Sequence, residues 1–398
     1  MENLLFLCHR LPYPPDKGDK IRSFHILQFL ARHYKIHLGT FIDDPADLKY
    51  QDKVGQYCTD LCAVPIQPVW RRLESLRGLL TGEALGLPYY RDTRLAQWLA
   101  RTVQAHTFSR VLIFSSTMAQ YVMGPKFDAM RLVVDFVDVD SEKWRAYAAA
   151  KPWPIRALYR REAKKLFAYE QRLAKRAQAS LFVSAAEARL FNFLLDEPLT
   201  SVSHVDNGVD LDYFARTPGR ANPYPTRNPV LVFTGAMDYW ANVDAVSWFA
   251  HTIFPQVRQR CPDAEFWIVG SRPTAEVQVL ARRAGVYVTG SVPDVRPFLQ
   301  YARGVVAPLR IARGVQNKVL EAMAMEKHVV GTPEAFEGIE AAESAALYHA
   351  DDAAHFATLC VALLEEGIHA TGNAGRAYVQ KAHDWNRNLQ KLQEVLEA

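Results

Sequence analysis

Lys318 and Glu321 are the residues whose types and spacing best suit chemistry on a phosphorylated ligand. They stand in a run of strong helix formers, KVLEAMAM, which follows an apolar run and a short basic loop. The first amides of a helix and its dipole attract anions, and residues three apart share one helix face. An ammonium group would therefore bind a diphosphate beside a carboxylate that binds sugar hydroxyls. The loop adds further candidates for the same anion, namely Arg310, Arg313 and Gly314.

Glycines end three successive apolar runs in the second half of the chain: Gly235, Gly270 and Gly290. Each run is predicted to be a strand, and a glycine at a strand end lets a ligand or another backbone approach closely. Arg272 adds a cation shortly after the second glycine. Together these residues predict an edge of the sheet that is lined for ligand binding.

The loop after the first apolar run, HRLPYPPDKGDKIRS, is the corresponding candidate in the first half. Its prolines stiffen the chain, and Gly18 supplies backbone freedom. Lys20 and Arg22 place positive charge at the start of a helix predicted over 20–33. The loop is predicted to hold an anion through amides and cations. A plain surface loop with solvated cations would have the same composition.

An Asp-x-Asp triplet, Asp138 to Asp140, follows the strand predicted over 131–137. With Asp135, these carboxylates would share one face if the strand continued. Such a triplet can hold a divalent ion against a diphosphate, and an N-cap at Asp140 or Ser141 accounts for the pattern equally well. We predict that Asp138 contacts substrate or takes part in catalysis, and we predict no metal site.

Apolar runs alternate with longer amphipathic runs throughout the 398 residues. This rhythm predicts two α/β domains with doubly wound parallel sheets, interrupted by a Pro- and Gly-rich linker at 217–229. The domains are predicted at 1–212 and 228–379, with a helix at 380–398 packing back on the first. Ligands bind such sheets at the carboxyl ends of the strands, so two facing domains would hold substrate in a cleft.

Composition excludes several classes of function. Apolar residues make up 49% and charged residues 23% of the chain, and the net charge is +4, so no nucleic-acid partner is predicted. The five scattered cysteines suit reduced thiols. The N-terminus reads as a strand rather than a signal peptide, and no run could span a bilayer. We therefore expect a cytoplasmic protein.

A basic segment at 156–176, RALYRREAKKLFAYEQRLAKR, has two interpretations. As an amphipathic helix it would lie on an anionic membrane surface. Alternatively it packs into the core through its apolar residues and leaves its cations in solvent.

The motifs of the second half, taken in order, resemble the retaining glycosyltransferases of family 4, which have the GT-B fold of two facing Rossmann-like domains. The first half resembles a narrower group, the sugar transferases associated with PEP-CTERM/exosortase exopolysaccharide systems. The matching segments are HRLPYPPDKGDKIRSFHIL, VVDFVDVDSEKW, VDNGVD, FTGAMDYWANVDAVSWF, IVGSRP, VTGSVPDV and KVLEAMA with VVGTPEAFEGI.

The resemblance implies a hexosyltransferase that moves sugar from a nucleotide-diphosphate sugar to a glycan or polyprenyl-linked acceptor. It implies retention of the anomeric configuration, no metal and no cofactor besides the donor, with the enzyme peripheral on the inner membrane face. It also implies residue roles: Glu321 for the ribose hydroxyls, Lys318 for the diphosphate with Arg310 or Arg313, Gly290 and Val292 at the base, and Gly18 in a loop that closes over the donor. Asn207-Gly208 would be a hinge.

Three departures from the family pattern matter. Arg313 stands where the family has the first glutamate of its pair, and GAMDYWANVD lacks the usual Arg and Lys. Glu326 and His328 replace the usual Gly and Pro after the helix. A non-glycine residue in a left-handed cap costs about 1 kcal/mol, so the turn either differs or is strained.

Three alternatives remain open from the sequence. A nucleotide-sugar epimerase or hydrolase of the same fold would form product without an acceptor glycan. A non-catalytic nucleotide-sugar scaffold would suit the missing glutamate at Arg313. A metal-dependent GT-A enzyme built on Asp138 and Asp140 would require a single domain.

Overall fold

The chain forms two compact units. The computed structural model describes residues 1–149, 151–312, 314–339, 346–365 and 372–398. Unit 1 comprises residues 1–206 and 386–398, and unit 2 comprises residues 207–385. The chain thus passes between units directly after Asp206, and the Pro-rich segment 217–229 lies within unit 2.

Unit 1 is built on a parallel sheet of seven strands in the order β3-β2-β1-β4-β5-β6-β7. Most of these strands are continuous apolar runs because helices cover both faces of a parallel sheet. The strands are β1 (Asn3–Cys8), β2 (Lys35–Ile42), β3 (Asp60–Pro65), β4 (Arg110–Phe114), β5 (Arg131–Val137), β6 (Ala179–Phe182) and β7 (Val202–His204).

Unit 2 repeats this plan with a parallel sheet of six strands in the order β10-β9-β8-β11-β12-β13. In both sheets the order reverses between the first and fourth strands of the unit, which is the point where doubly wound sheets bind ligands. The strands are β8 (Val230–Thr234), β9 (Glu265–Val269), β10 (Val286–Gly290), β11 (Gly304–Ala307), β12 (Val329–Gly331) and β13 (Leu347–His349).

Helices connect the strands and close each core. None in the described ranges is both long enough and apolar enough to cross a membrane. They are α1 (Gly18–Leu30), α2 (Gln51–Gly55), α3 (Pro68–Ser75), α4 (Arg77–Thr81), α5 (Gly86–Tyr89), α6 (Thr93–Ala105), α7 (Asp140–Ala149), α8 (Ile155–Arg176), α9 (Ala185–Leu194), α10 (Trp240–Trp248), α11 (Phe254–Arg260), α12 (Ala275–Leu280), α13 (Arg296–Tyr301), α14 (Asn317–Ala324), α15 (Ala353–Glu365), α16 (Asn373–Ala382) and α17 (Trp385–Glu397).

The basic segment is the helix α8, and it packs into unit 1 through one face. Leu166 and Leu173 are buried there. Two glutamates are buried with them: Glu162 accepts hydrogen bonds from the amides of Leu85 and Gly86, at 2.8 and 3.3 Å. Glu170 accepts one from the Ser141 hydroxyl at 2.6 Å. The core-packing interpretation therefore holds for the apolar face, and the exposed face is left cationic.

Arg376 of α16 fixes the C-terminal end of α14. Its guanidinium donates to the carbonyls of Ala324, Phe214 and Leu211, at 2.5, 2.9 and 3.0 Å. Glu326, just beyond this end, has φ 59°, so the strained left-handed cap considered from the sequence is present. Arg376 thus holds the C-terminal end of α14, although the cap of this helix lacks glycine.

Candidate functional site

Glycines follow β8 and β9 at the carboxyl edge of the unit 2 sheet, so the backbone there carries no side chains. A Cβ atom built on Gly270 would lie 1.7 Å from the carbonyl oxygen of Gly235. A Cβ on Gly235 would lie 2.8 Å from Nδ2 of Asn242. Two of the three glycines predicted at strand ends are therefore required by close packing at one place, Gly270 against backbone and Gly235 against the Asn242 side chain.

Lys318 reaches this edge from α14. Its Nζ donates a hydrogen bond to Oδ1 of Asn242 at 2.6 Å and lies 4.3 Å from the centroid of the Phe233 ring. Asn242 in turn donates from Nδ2 to the carbonyl of Ala236 at 2.8 Å, so both ends of its amide are used and its orientation is set. Sequence reasoning missed Asn242, a buried amide in an otherwise apolar stretch of α10.

Lys318 differs from the other cations near this edge in its hydrogen-bond partner. No carboxylate among the described residues forms an ion pair with its ammonium group, whose hydrogen-bond partner is a neutral amide. A bound anion would therefore not have to displace a carboxylate from Lys318.

The N-terminus of α14 adds donors to the same place. The helix has no side-chain hydrogen bond at its N-cap and no acidic residue in its first turn. Gly314, just before it, is buried with φ 67°, a conformation that favours glycine. Asn317 is contacted by Asn207, whose Nδ2 lies 3.3 Å from its Oδ1. The first-turn amides, the helix dipole and Lys318 together form an arrangement suited to a phosphate.

Burial changes the protonation of Lys318 and Glu321. It lowers the pKa of Lys318 to about 7, against the attraction of Glu321. It raises the pKa of Glu321 to about 7, against the attraction of Lys318. No described side chain donates a hydrogen bond to the Glu321 carboxylate, so its oxygens can accept hydroxyl groups of a ligand.

Two other predicted cations of unit 2, Arg310 and Arg272, have carboxylate partners. Arg310 donates to both oxygens of Asp244 and lies over the Trp248 ring, with its guanidinium carbon 5.4 Å from the centroid. Arg272 forms an ion pair with Asp238 at 2.8 Å and has φ 51°. Arg313 lies outside the described residues.

The predicted base-binding residues lie at the end of β10. Gly290 has φ 70°, and a Cβ there would meet no atom within 4 Å. Val292 is partly buried against the core of unit 2. Tyr213, which sequence reasoning missed, lies under the Arg296 guanidinium at 3.8 Å from ring centroid to guanidinium carbon. Burial raises the pKa of Tyr213, and the charges of Asp294 and Glu321 raise it further.

The predicted anion-binding residues of the first loop lie in α1. Lys20 is buried and donates to Asp47 at 2.5 Å. Arg22 is buried and donates to Asp135 and to the carbonyl of Val205, both at 2.8 Å. Gly18 is exposed at the first position of the helix, which begins two residues before the predicted start. A role for these three in donor binding stays a prediction.

The aspartates after β5 do not share one face, which corrects the sequence expectation. The strand ends at Val137, whose φ of 70° is strained for a β-branched residue, and α7 begins at Asp140. Lys143 then lies between two carboxylates, with Nζ 2.6 Å from Asp138 and 3.1 Å from Asp140. Although burial opposes it, these two aspartates raise the pKa of Lys143 well above its ordinary value.

A second ionic cluster, also missed from the sequence, follows β1. Asp19 lies 3.2 Å from Nε2 of His9 and 2.9 Å from Arg10, and Arg10 also pairs with Asp43 at 2.8 Å. Burial opposes the ionised form of Asp19, yet the hydrogen bond from His9 and the charge of Arg10 lower its pKa. Among the described residues, no group of three or more His, Cys, Asp or Glu side chains is placed to hold a metal ion.

The edge of unit 2 that carries Lys318 lies within a recognisable family segment. Residues 228–366 match the family described as glycosyl transferases group 1. The matched segment covers about a third of the chain and lies within unit 2. The contacts of Lys318, Asn242, Gly235 and Gly270 described above all fall inside it. Among curated protein sequences, none matches this chain.

Solved structures resemble the whole chain. Sucrose-phosphate synthase from Thermosynechococcus elongatus has a TM-score of 0.74 at 14% identity, covering 100% of this chain and 98% of its own. HepE from Anabaena, solved with UDP-glucose, has a TM-score of 0.67 at 14% identity, covering 100% of both chains. WaaG, a glycosyltransferase involved in lipopolysaccharide biosynthesis, has a TM-score of 0.61 at 16% identity, covering 96% and 95%. The predicted GT-B fold of two Rossmann-like units is confirmed, and with it the single-domain GT-A alternative is wrong.

Substitution of Gly270 tests the close approach of the two strand ends. Gly270→Ala places Cβ against the Gly235 carbonyl, and because backbone cannot swing aside as a side chain can, we expect a loss of about 3 kcal/mol or more in the stability of unit 2. Gly290→Ala is the control, since it meets no atom and costs only about 1 kcal/mol for its positive φ. Urea unfolding followed by hydrogen exchange in peptides from 207–385 measures both. Equal losses would contradict the structure.

Proposed function

We propose that the protein is a hexosyltransferase that takes its sugar from a nucleotide-diphosphate sugar bound by unit 2. The observation that carries this proposal is the Lys318 ammonium group, held by the neutral Asn242 amide at an uncapped helix N-terminus inside a group 1 glycosyltransferase domain. The UDP-glucose bound by HepE supports a uridine donor as the first candidate.

The donor diphosphate would lie between Lys318 and the first amides of α14, over the bare backbone at Gly235. Glu321 stands one helical turn further along, where its carboxylate would accept the ribose hydroxyls. Tyr213 and the end of β10 would border the base. Arg310 would contribute to the diphosphate only by exchanging its Asp244 partner for phosphate.

Transfer breaks the bond between the anomeric carbon and the phosphate oxygen and forms a bond from that carbon to the acceptor oxygen. The leaving diphosphate gains negative charge, which Lys318 and the helix amides are placed to stabilise. The acceptor hydroxyl loses its proton to a phosphate oxygen of the leaving group. The chemistry then needs no metal, and it suits retention of the anomeric configuration.

The acceptor is proposed to be a glycan or a polyprenyl-linked glycan of exopolysaccharide biosynthesis, met by unit 1 on the cytoplasmic face of the membrane. Asp138 is the candidate for orienting it. The strained φ of Val137 supports this role, since strain of this kind gathers at functional positions. Lys143 would hold Asp138 in place through their ion pair.

Removal of the Lys318 ammonium tests the donor site. A panel of UDP-, GDP-, ADP- and dTDP-sugars is screened by thermal shift, with and without EDTA. We expect one donor to raise the melting temperature equally in both conditions, and we expect Lys318→Ala to abolish that shift. Turnover should fall by about 10²- to 10³-fold, as on loss of one group that stabilises developing charge. The exposed Lys381→Ala is the matched control. If the donor still raised the melting temperature of Lys318→Ala, Lys318 would not be part of the donor site.

Glu321→Gln separates an enzyme from a binding scaffold. The amide keeps the size of the carboxylate but accepts hydroxyl hydrogen bonds less strongly. We expect turnover to fall while a donor shift survives, with the exposed Glu334→Gln unchanged. Donor binding without turnover in the parent protein would favour the scaffold. Sugar release or epimerisation that no acceptor glycan accelerates would favour the hydrolase or epimerase.

Donor affinity is expected to depend on pH through Lys318. Its pKa in the free protein is about 7, and a bound diphosphate raises it because an anion favours the charged form. Affinity is therefore full below pH 7 and falls by up to about tenfold per pH unit above it, until the pKa of the bound state is reached. Titration calorimetry with the intact nucleotide sugar measures this, since its diphosphate diester does not ionise there.

Lys318→Arg is the control for this dependence, because a guanidinium stays charged across the range. Its affinity should be nearly constant between about pH 6 and 9. Glu321→Gln should keep the fall in affinity but move it to lower pH, because the attraction of Glu321 raises the pKa of Lys318. An affinity that rises with pH, or a slope that survives in Lys318→Arg, would contradict the assignment.

A further inference from the structure

Unit 1 exposes a row of large apolar side chains on α3 and α4. Trp70 is 64% exposed and Leu80 is 91% exposed, although both belong to residue types that folding normally buries. The row occupies a short stretch between β3 and α5, and exposed apolar patches of this kind mark interaction surfaces. Its members are Val69, Trp70, Leu73, Leu76, Leu79 and Leu80.

The cationic face of α8 lies beside this row. Arg161 of α8 donates to the carbonyls of Gly78 and Glu83, at 2.6 and 3.2 Å. A Cβ on Gly82 would lie 3.7 Å from Nζ of Lys165. Because Glu162 and Glu170 are buried, the charged side chains that α8 exposes are all basic: Arg156, Arg160, Lys164, Lys165, Arg172 and Lys175.

The few acidic groups near the row are paired. Glu74 forms an ion pair with Arg71 at 3.0 Å, and Glu83 forms one with Arg91 at 3.1 Å. Arg72 and Arg77 add positive charge within the row itself. The combined surface, here called the α3–α8 surface, therefore joins protruding Trp and Leu side chains to a field of positive charge.

We propose that the α3–α8 surface binds an anionic lipid bilayer. Apolar side chains that enter the acyl boundary, an interfacial Trp and basic residues that face anionic headgroups are the components of peripheral membrane binding. A second copy of the chain fits less well, because a two-fold interface would bring the same cationic face against itself.

The α3–α8 surface lies near the edge of the unit 1 sheet where a ligand is expected. Helix α3 begins at Pro68, shortly after β3 ends at Pro65, so the row adjoins the carboxyl edge of the unit 1 sheet where ligands bind in doubly wound folds. Resting on the proposed function, the bound bilayer would present a lipid-linked acceptor to this edge. Helix α8 supplies most of the positive charge, and α3 with α4 supplies the apolar contact and two further arginines, Arg72 and Arg77.

Vesicle flotation tests the proposal with the full chain and without any donor. The vesicles are phosphatidylcholine, alone or with about 30 mol % phosphatidylglycerol, at about 0.1 M and about 0.5 M salt. We expect binding to the anionic vesicles that weakens at the higher salt. Binding to neither vesicle, or equally to both at either salt, would overturn the proposal.

Two pairs of variants separate the two components. Lys164→Gln with Lys165→Gln should weaken binding by about thirtyfold, at about 1 kcal/mol for each cation. Trp70→Ser with Leu80→Ser should weaken it by about tenfold or more. The matched controls change exposed residues of unit 1 away from the surface: Lys53→Gln with Lys391→Gln, and Phe193→Ser, which is 85% exposed. Controls that weaken binding as much as the test variants would overturn the assignment.

Sedimentation equilibrium tests whether a second copy of the chain occupies the α3–α8 surface instead. A dimer that the Trp70 and Leu80 changes dissociate, with no vesicle binding, would assign the surface to a second copy and overturn the proposal. Donor thermal shifts measured on the same variants should equal those of the parent protein, because the donor residues lie in unit 2. The lipid proposal and the donor proposal therefore fail in different assays.

Discussion

The partly buried charge of Lys318 is the constraint on which the proposed donor site depends. An ammonium group loses hydration when its surroundings exclude water, and here a phenylalanine ring and the backbone of Gly235 lie against it. Its hydrogen-bond partner among the described residues is a neutral amide, so no carboxylate blocks the approach of an anion. The glycines, the fixed orientation of Asn242 and the uncapped helix can all be understood as conditions for holding one cation ready for an anion.

The two units treat charge at their sheet edges differently. In unit 1, the carboxylates after β1 and β5 already have basic partners, such as Arg10 for Asp19 and Lys143 for Asp138. In unit 2, Lys318 lacks a carboxylate partner among the described residues. At the sheet edges, a polyanion therefore gains most at unit 2, whereas the preformed pairs of unit 1 suit a neutral ligand that exchanges hydrogen bonds. This difference agrees with the proposed charged donor and hydroxyl acceptor.

The fold was predictable because its signal is periodic and local. Apolar runs of strand length alternate with helical patterns, and glycines end β8, β9 and β10, so the sheets and the Lys318 helix could be found from sequence. Pairings between distant residues could not. Lys20 and Arg22 look like anion-binding residues in a loop, yet their carboxylates lie 27 and 113 positions away. Asn242 was missed because an amide carries no charge and its partner stands 76 positions further on.

Long-range contacts also explain the tail, for which the sequence predicted one helix over 380–398. It breaks at His383, where Nδ1 lies 2.8 Å from the carbonyl of Asn207 and the His383 carbonyl accepts the amide of Val209. The helical periodicity of the sequence shows no such break. Hydrogen bonds with a segment 176 positions away set the position of the break.

The hydrogen bonds of Arg376 connect two segments of unit 2. One guanidinium holds the last turn of α14 and the carbonyls of Leu211 and Phe214, which lie just after the chain enters unit 2. The peptide at Leu211 and Phe214 and the end of the helix that carries Lys318 are thus held by the same side chain. A rotation of that peptide would disturb the hydrogen bond that Arg376 donates to Ala324, so the conformation of the chain shortly after residue 207 is coupled to the position of α14.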